Sequence, residues 1–108
     1  MLEMQEQKAL KNFKEVLIRQ FGSEIVDIRL FGSKARGDSH KESDIDILVT
    51  TQQDDWHLKE RIGKVATDIL LDYGVYLSVK VMGRSSQKKL IYVGSPFMRN
   101  SMSEGIAL

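Results

Sequence analysis

An α/β fold, with helices packed on a small β-sheet, is predicted for this chain by two observations. Stretches with apolar residues at helical spacing alternate with short β-branched runs, and Gly, Asp, Ser or Pro stands at most of their boundaries. Residues 3 to 21 come first. Leu10, Phe13, Leu17 and Phe21 recur every three or four positions, Val16 widens the stripe, and Glu3, Lys11, Lys14 and Arg19 fall on other faces. This predicts an amphipathic helix ended by Gly22. A strand follows at about 24 to 31, then a turn, then a second strand at about 44 to 50. Asp54 is expected to cap a helix over 55 to 73, with Trp56, Ile62, Val65, Ile69 and Leu70 as its buried face and Gly74 as its terminator. A third strand runs from Val75 to Met82. Ser85 is read as the cap of a short helix through Tyr92, and Ser95-Pro96 as the opening of another that runs to Glu104 before Gly105.

Composition bounds what such a chain can do. Its 108 residues, 42% of them hydrophobic, suit one domain over residues 1 to 108. Lys and Arg number 16 against 15 Asp and Glu, a formal charge of +1, so there is no general electrostatic case for wrapping nucleic acid. A small molecule or a protein is favoured over a nucleic acid as the binding partner. Cysteine is absent, which excludes disulfides, thiolate metal sites and thiol catalysis. The first residues, Met1-Leu2-Glu3-Met4-Gln5-Glu6-Gln7-Lys8, carry no signal-type apolar core, and no run reaches the roughly 18 apolar residues of a membrane span. The expectation is a soluble, cytoplasmic protein.

The densest chemistry lies between Gly32 and Asp46. The first strand stops at Gly32, where backbone can approach a ligand, and Ser33 stands where a short helix would begin, so that its hydroxyl and free N–H groups make an anion site. Lys34 and Arg36 add positive charge beside it, and Gly37 ends the turn. Asp44 and Asp46 are two apart at the start of the second strand and project to one face, while Ile45 and Ile47 go to the other. Like charges side by side at the head of an apolar run cost several kcal/mol unless a cation or hydrogen-bond donors compensate. Hard carboxylate oxygens of this kind suit Mg²⁺, whose remaining positions are filled by water and substrate phosphates. Gly-Ser turns and Asp-x-Asp pairs are each common in ordinary solvated structure; their combination points to a metal and a nucleoside triphosphate.

Phe31-Gly32-Ser33-Lys34-Ala35-Arg36-Gly37, followed by Ser43-Asp44-Ile45-Asp46-Ile47-Leu48-Val49, resembles the signature of the minimal nucleotidyltransferases, small members of the DNA polymerase beta-like nucleotidyltransferase superfamily. The resemblance extends through the chain in order to the C-terminal Gly94-Ser95-Pro96-Phe97-Met98-Arg99-Asn100 and Glu104-Gly105-Ile106 segments. It implies a small mixed β-sheet with helices packed on it, Mg²⁺ (or Mn²⁺) dependence, and transfer of a nucleoside monophosphate from a nucleoside triphosphate, ATP foremost, to a protein or small-molecule hydroxyl. It assigns Asp44 and Asp46 to catalysis and to the metal, and Gly32 and Ser33 to the triphosphate. The family pattern places a third carboxylate on a later strand, as metal ligand and proton acceptor. Here the sequence departs from it: the polar face of the third strand offers Tyr76, Ser78 and Lys80, and no acid. Ser78 takes the position of the missing carboxylate, and Lys80 either contacts phosphate or offsets the negative site. Asp27, near a strand start, and Asp72, at a helix end, are the nearest other carboxylates. An active transferase, a nucleotide-binding regulator that has lost most transfer activity, and an interaction module therefore all stay open. The resemblance also implies a HEPN-type helical partner in a toxin–antitoxin pair, with self-association as a further possibility.

Other residues have plainer readings. Trp56, Tyr73, Tyr76, Tyr92 and Phe97 are read as core or partner-facing groups rather than base-stacking platforms. His40 and His57 lie in polar surroundings and read as solvated; neither is assigned as a general base. Lys88 and Lys89 read as a solvated helix face. Met98, Met102, Ile106 and Leu108 either cover the chain's own core or offer an adaptable apolar contact surface.

Overall fold

The computed structural model describes residues 2–31, 45–96 and 105–108. The first helix, α1, spans Met4–Phe21, and the backbone N–H of Glu3 donates to the Glu6 carboxylate at its start. Ala9, Leu10, Phe13, Leu17 and Phe21 form its buried stripe, as the spacing predicts. Gly22 closes it at φ 48°, a left-handed value natural to glycine, and a single 3-10 turn, Gly22–Glu24, leads into strand β1, Ile25–Phe31. Strand β2, Ile45–Thr51, returns antiparallel to β1 with Phe31 opposite Asp46, Leu30 opposite Ile47 and Ile28 opposite Val49.

Helix α2, Trp56–Tyr73, is capped by Asp55, not by Asp54. The Asp55 carboxylate accepts from the N–H groups of His57 and Leu58 at 2.9 and 3.3 Å. Asp54 is occupied elsewhere: it accepts from the N–H of Gly83 at 2.9 Å and from the Ser86 hydroxyl, and so ties the head of α2 to the far end of the next strand. The buried face of α2 is Leu58, Ile62, Val65 and Ile69. Trp56 and Leu70, expected on that face, are 67% and 40% exposed. At 3.6 residues per turn they lie roughly 160° and 120° round the helix from Leu58, off the stripe that meets the sheet. Gly74 ends α2 in the left-handed conformation, φ 67°.

Strand β3 runs Leu77–Gly83, two residues later than Val75 as its expected start, and pairs in parallel with β2. Helix α3, Arg84–Tyr92, follows without a loop; Gly83 occupies its cap position, not Ser85. A Cβ on Gly83 would stand 2.6 Å from the backbone nitrogen of Asp54, so only glycine fits where strand, helix and loop meet. A short strand that the sequence did not suggest, β4 (Ile106–Ala107), pairs antiparallel with β1 at Leu30 and Arg29, and the N–H of Leu108 donates to the carbonyl of Ile28 at 2.9 Å. Leu108 packs against the core, whereas Ile106 is half-exposed. Beyond Pro96, the helix expected up to Glu104 lies outside the described residues, as do Met98 and Met102.

The sheet order is β3-β2-β1-β4. One face carries Ile28, Leu30, Ile45, Ile47, Val49 and Leu77 into a single core with the buried stripes of α1 and α2.

Candidate functional site

Period-two geometry sends Asp46, Leu48 and Thr50 to the face away from the main core, and the register aligns them with their neighbours in three rows. The first row reads Phe31, Asp46, Ser78; the second Arg29, Leu48, Lys80; the third Asp27, Thr50, Met82. Asp46 is half-buried, in the first row of a strand whose next residues, Ile47 to Thr51, are all buried. Phe31, the last described residue before Gly32, sits directly beside it.

Of the residues expected at the site, Asp46 and Ser78 are brought together as cross-strand neighbours on one face. Lys80 lies one row further on, opposite Leu48, and is exposed. Gly32, Ser33, Lys34, Arg36 and Asp44 lie outside the described residues. Tyr76 stands in the connector before β3, 56% exposed. Asp27 does not take the place of the missing third carboxylate: it stands two rows from Asp46, four residues along β2 or roughly 13 Å at the strand rise, and binds Arg29 Nε at 2.8 Å. Among the described residues no group of three or more His, Asp or Glu side chains is placed to hold a metal. The oxygen donors that the first row does offer, the Asp46 carboxylate and the Ser78 hydroxyl, are hard ligands of the sort a Mg²⁺ ion takes.

Sequence reasoning gave no site role to Arg29 of the second row or to Arg84 of α3, and read Lys88 only as part of a solvated helix face. Arg29 is half-buried, held by Asp27 and by a longer contact of Nη1 with the carbonyl of Gly105 at 3.4 Å. Arg84, Gln87 and Lys88 of α3 face the same region, and Gln87 Nε2 donates to the hydroxyl of Thr50 at 3.2 Å. The signal for Arg29 was its place two residues from Phe31 on one strand; that for α3 was the spacing i, i+3, i+4.

Electrostatics mark a second spot, at the other end of the strands. The hydrogen bond from Ser86 and then that from the Gly83 N–H hold the Asp54 carboxyl below its ordinary value against the opposing effect of burial, with a lesser contribution from the nearby charge of Lys89. Trp56 stacks on His57 there, ring centroids 4.3 Å apart.

A four-stranded mixed sheet backed by α1 and α2, with a carboxylate and a hydroxyl side by side in its first row, can be compared with known proteins. The chain belongs to the nucleotidyltransferase domain family, whose model matches residues 10–92. It is 38% identical over 105 residues to a candidate protein adenylyltransferase of Methanocaldococcus jannaschii, covering 97% of this chain and 99% of that one. A second candidate protein adenylyltransferase of the same organism is 33% identical over 70 residues, 64% of this chain and 71% of the relative. Among solved structures, a minimal nucleotidyltransferase matches with a TM-score of 0.60 at 22% identity over 94% of both chains. A toxin–antitoxin solved with AMP-PNP matches with a TM-score of 0.57 at 21% identity, over 90% of this chain and 70% of that one. These structural likenesses establish the shared fold.

Proposed function

We propose that this protein is a Mg²⁺-dependent nucleotidyltransferase that moves AMP from ATP to a hydroxyl of an acceptor protein. The observation that carries the reading is the pairing of Phe31 with Asp46. Gly32 is bonded to Phe31 and Asp44 to Ile45, so the phosphate-type turn and the paired carboxylates both connect to the chain at this one row. A protein acceptor is supported by the names of the two archaeal relatives.

Asp44 and Asp46 would hold the metal, with the Ser78 hydroxyl beside them; when bound, the ion neutralises charge on the phosphates. Gly32 and Ser33 would cradle the triphosphate and orient its α-phosphorus for in-line attack. The acceptor O–P bond forms, the P–O bond to pyrophosphate breaks, and the hydroxyl proton leaves to water or a nearby carboxylate. Ser78 cannot take that proton, because a serine hydroxyl is no base at neutral pH. Slow transfer by the isolated chain follows from this.

The test is calorimetry with ATP, with and without Mg²⁺. Binding should require the metal, and changing Asp44 and Asp46 together to Asn should abolish it without loss of folding. Equal affinity in EDTA, or normal MgATP binding by the folded double variant, contradicts the reading. A second reading, a nucleotide-binding regulator of a HEPN-type partner with little transfer of its own, draws on the serine opposite Asp46 where the family pattern has an acid. Nucleotide binding without transfer to any acceptor would favour it.

A further inference from the structure

Arg29, Arg84 and Lys88 surround an open concavity of ≈ 170 Å³ on the Asp46 face, floored by Thr50 and Gln87. One carboxylate, Asp27, stands among the three cations, and it is engaged by Arg29. Among the described residues neither Arg84 nor Lys88 forms an ion pair. Arg84 is also the first residue of α3, at the positive end of the helix dipole, and the first turn of that helix contains no acid. A cation there works against the helix it starts. Two guanidinium groups and an ammonium facing one hollow are suited to a carboxylate or phosphate group.

We propose that this pocket receives an acidic side chain of the acceptor protein, about four residues from the hydroxyl that is modified. The proposal rests on the transferase reading above and names a feature of its substrate. Thr50 lies four residues along β2 from Asp46, roughly 13 Å at 3.3 Å per residue. An extended acceptor segment laid along the sheet face covers that distance in about four residues. The pocket holds an anion while the hydroxyl is presented at the Asp46 row. A formal charge of only +1 on the whole chain favours a local acidic contact of this kind over the broad phosphate tracking of a nucleic-acid acceptor.

The experiment uses the full chain, isotope-labelled for amide NMR, and short peptides bearing Ser, Thr or Tyr with Glu four residues away, each paired with its Gln analogue. The Glu peptides should shift the amides of Thr50, Arg84 and Lys88 and bind at least five-fold tighter than the Gln peptides. Joint Arg84→Glu and Lys88→Glu substitution of these exposed residues should erase that difference, and Asp46→Asn should preserve it. In label transfer from α-labelled ATP, Glu at the fourth position should lower KM relative to Glu at the first, with kcat unchanged. Equal binding of Glu and Gln peptides, or a preference that survives charge reversal, overturns the proposal. Tighter binding of a single-stranded RNA through the same residues overturns it in favour of a nucleic-acid contact. Selective peptide binding with MgATP bound but no transfer removes the acceptor role, and in that case the transferase reading is what fails.

Discussion

The two faces of strand β2 obey different rules. Ile45, Ile47 and Val49 point into one core, are at most 1% exposed, and work as a set because each fills space against α1 and α2. Asp46, Leu48 and Thr50, interleaved with them, each work with cross-strand neighbours: Ser78, Lys80 and Met82 on one side, Phe31, Arg29 and Asp27 on the other. One face is a packing problem that many apolar residues solve. The other is a matter of register, in which a particular group must stand beside a particular group. Leu48 and Thr50 are themselves buried, so the cleanest contrast is between the neighbours Ile47 and Asp46: stability should change at the first and chemistry at the second.

The largest expected effect on stability is on the core face. Ile47→Ala should cost about 2–5 kcal/mol in urea unfolding, from lost transfer energy plus the cavity left among α1, α2 and β1. Asp46→Asn, one residue away and only half-buried, should shift the urea midpoint far less. A core variant that unfolds no more easily than the Asp46 variant would break the division.

A smaller effect is expected where both faces end, at the junction of Gly83 with Asp54. Gly83→Ala places a methyl against the Asp54 backbone and should cost about 1–3 kcal/mol by overpacking. Asp54→Asn should leave stability at neutral pH only slightly changed and alter its acid dependence. The folded carboxyl titrates below its unfolded value of 3.8, so its contribution is complete above that value and is lost as pH falls through the lower folded value. Urea titrations between pH 2 and 7 should show a wild-type decline at the acid end that the Asn variant lacks. Identical acid limbs would mean that Asp54 does not hold α3 in solution.

How much of this was legible in sequence follows the same division. Helical spacing located the stripe of α1 and most of that of α2, because a buried face repeats along one element. It failed at Trp56 and Leu70, whose apolarity suggested burial although their angular position excludes it. The choice between Asp54 and Asp55 as cap was not readable, since two adjacent aspartates are equivalent until the partner 29 residues away claims one of them. β4 went unseen because two residues carry no period, and the strand exists only through pairing with β1. At the site, the local Asp-x-Asp motif was plain, and period two correctly put Ser78 and Lys80 on one face of β3. The Asp27–Arg29 pair and the cations of α3 needed the tertiary structure, because no local pattern joins residue 29 to residue 84.

The serine opposite Asp46 bears most directly on the account. Label transfer from α-labelled ATP to candidate protein acceptors should be compared for the wild type, Asp46→Asn and Ser78→Asp. The expected order is slow transfer by the wild type, none by Asp46→Asn, and faster transfer with tighter metal binding by Ser78→Asp, which supplies a third oxygen ligand and a proton acceptor on the neighbouring strand. Robust wild-type transfer that Ser78→Asp leaves unaltered or destroys would contradict the assignment of this row as the catalytic centre.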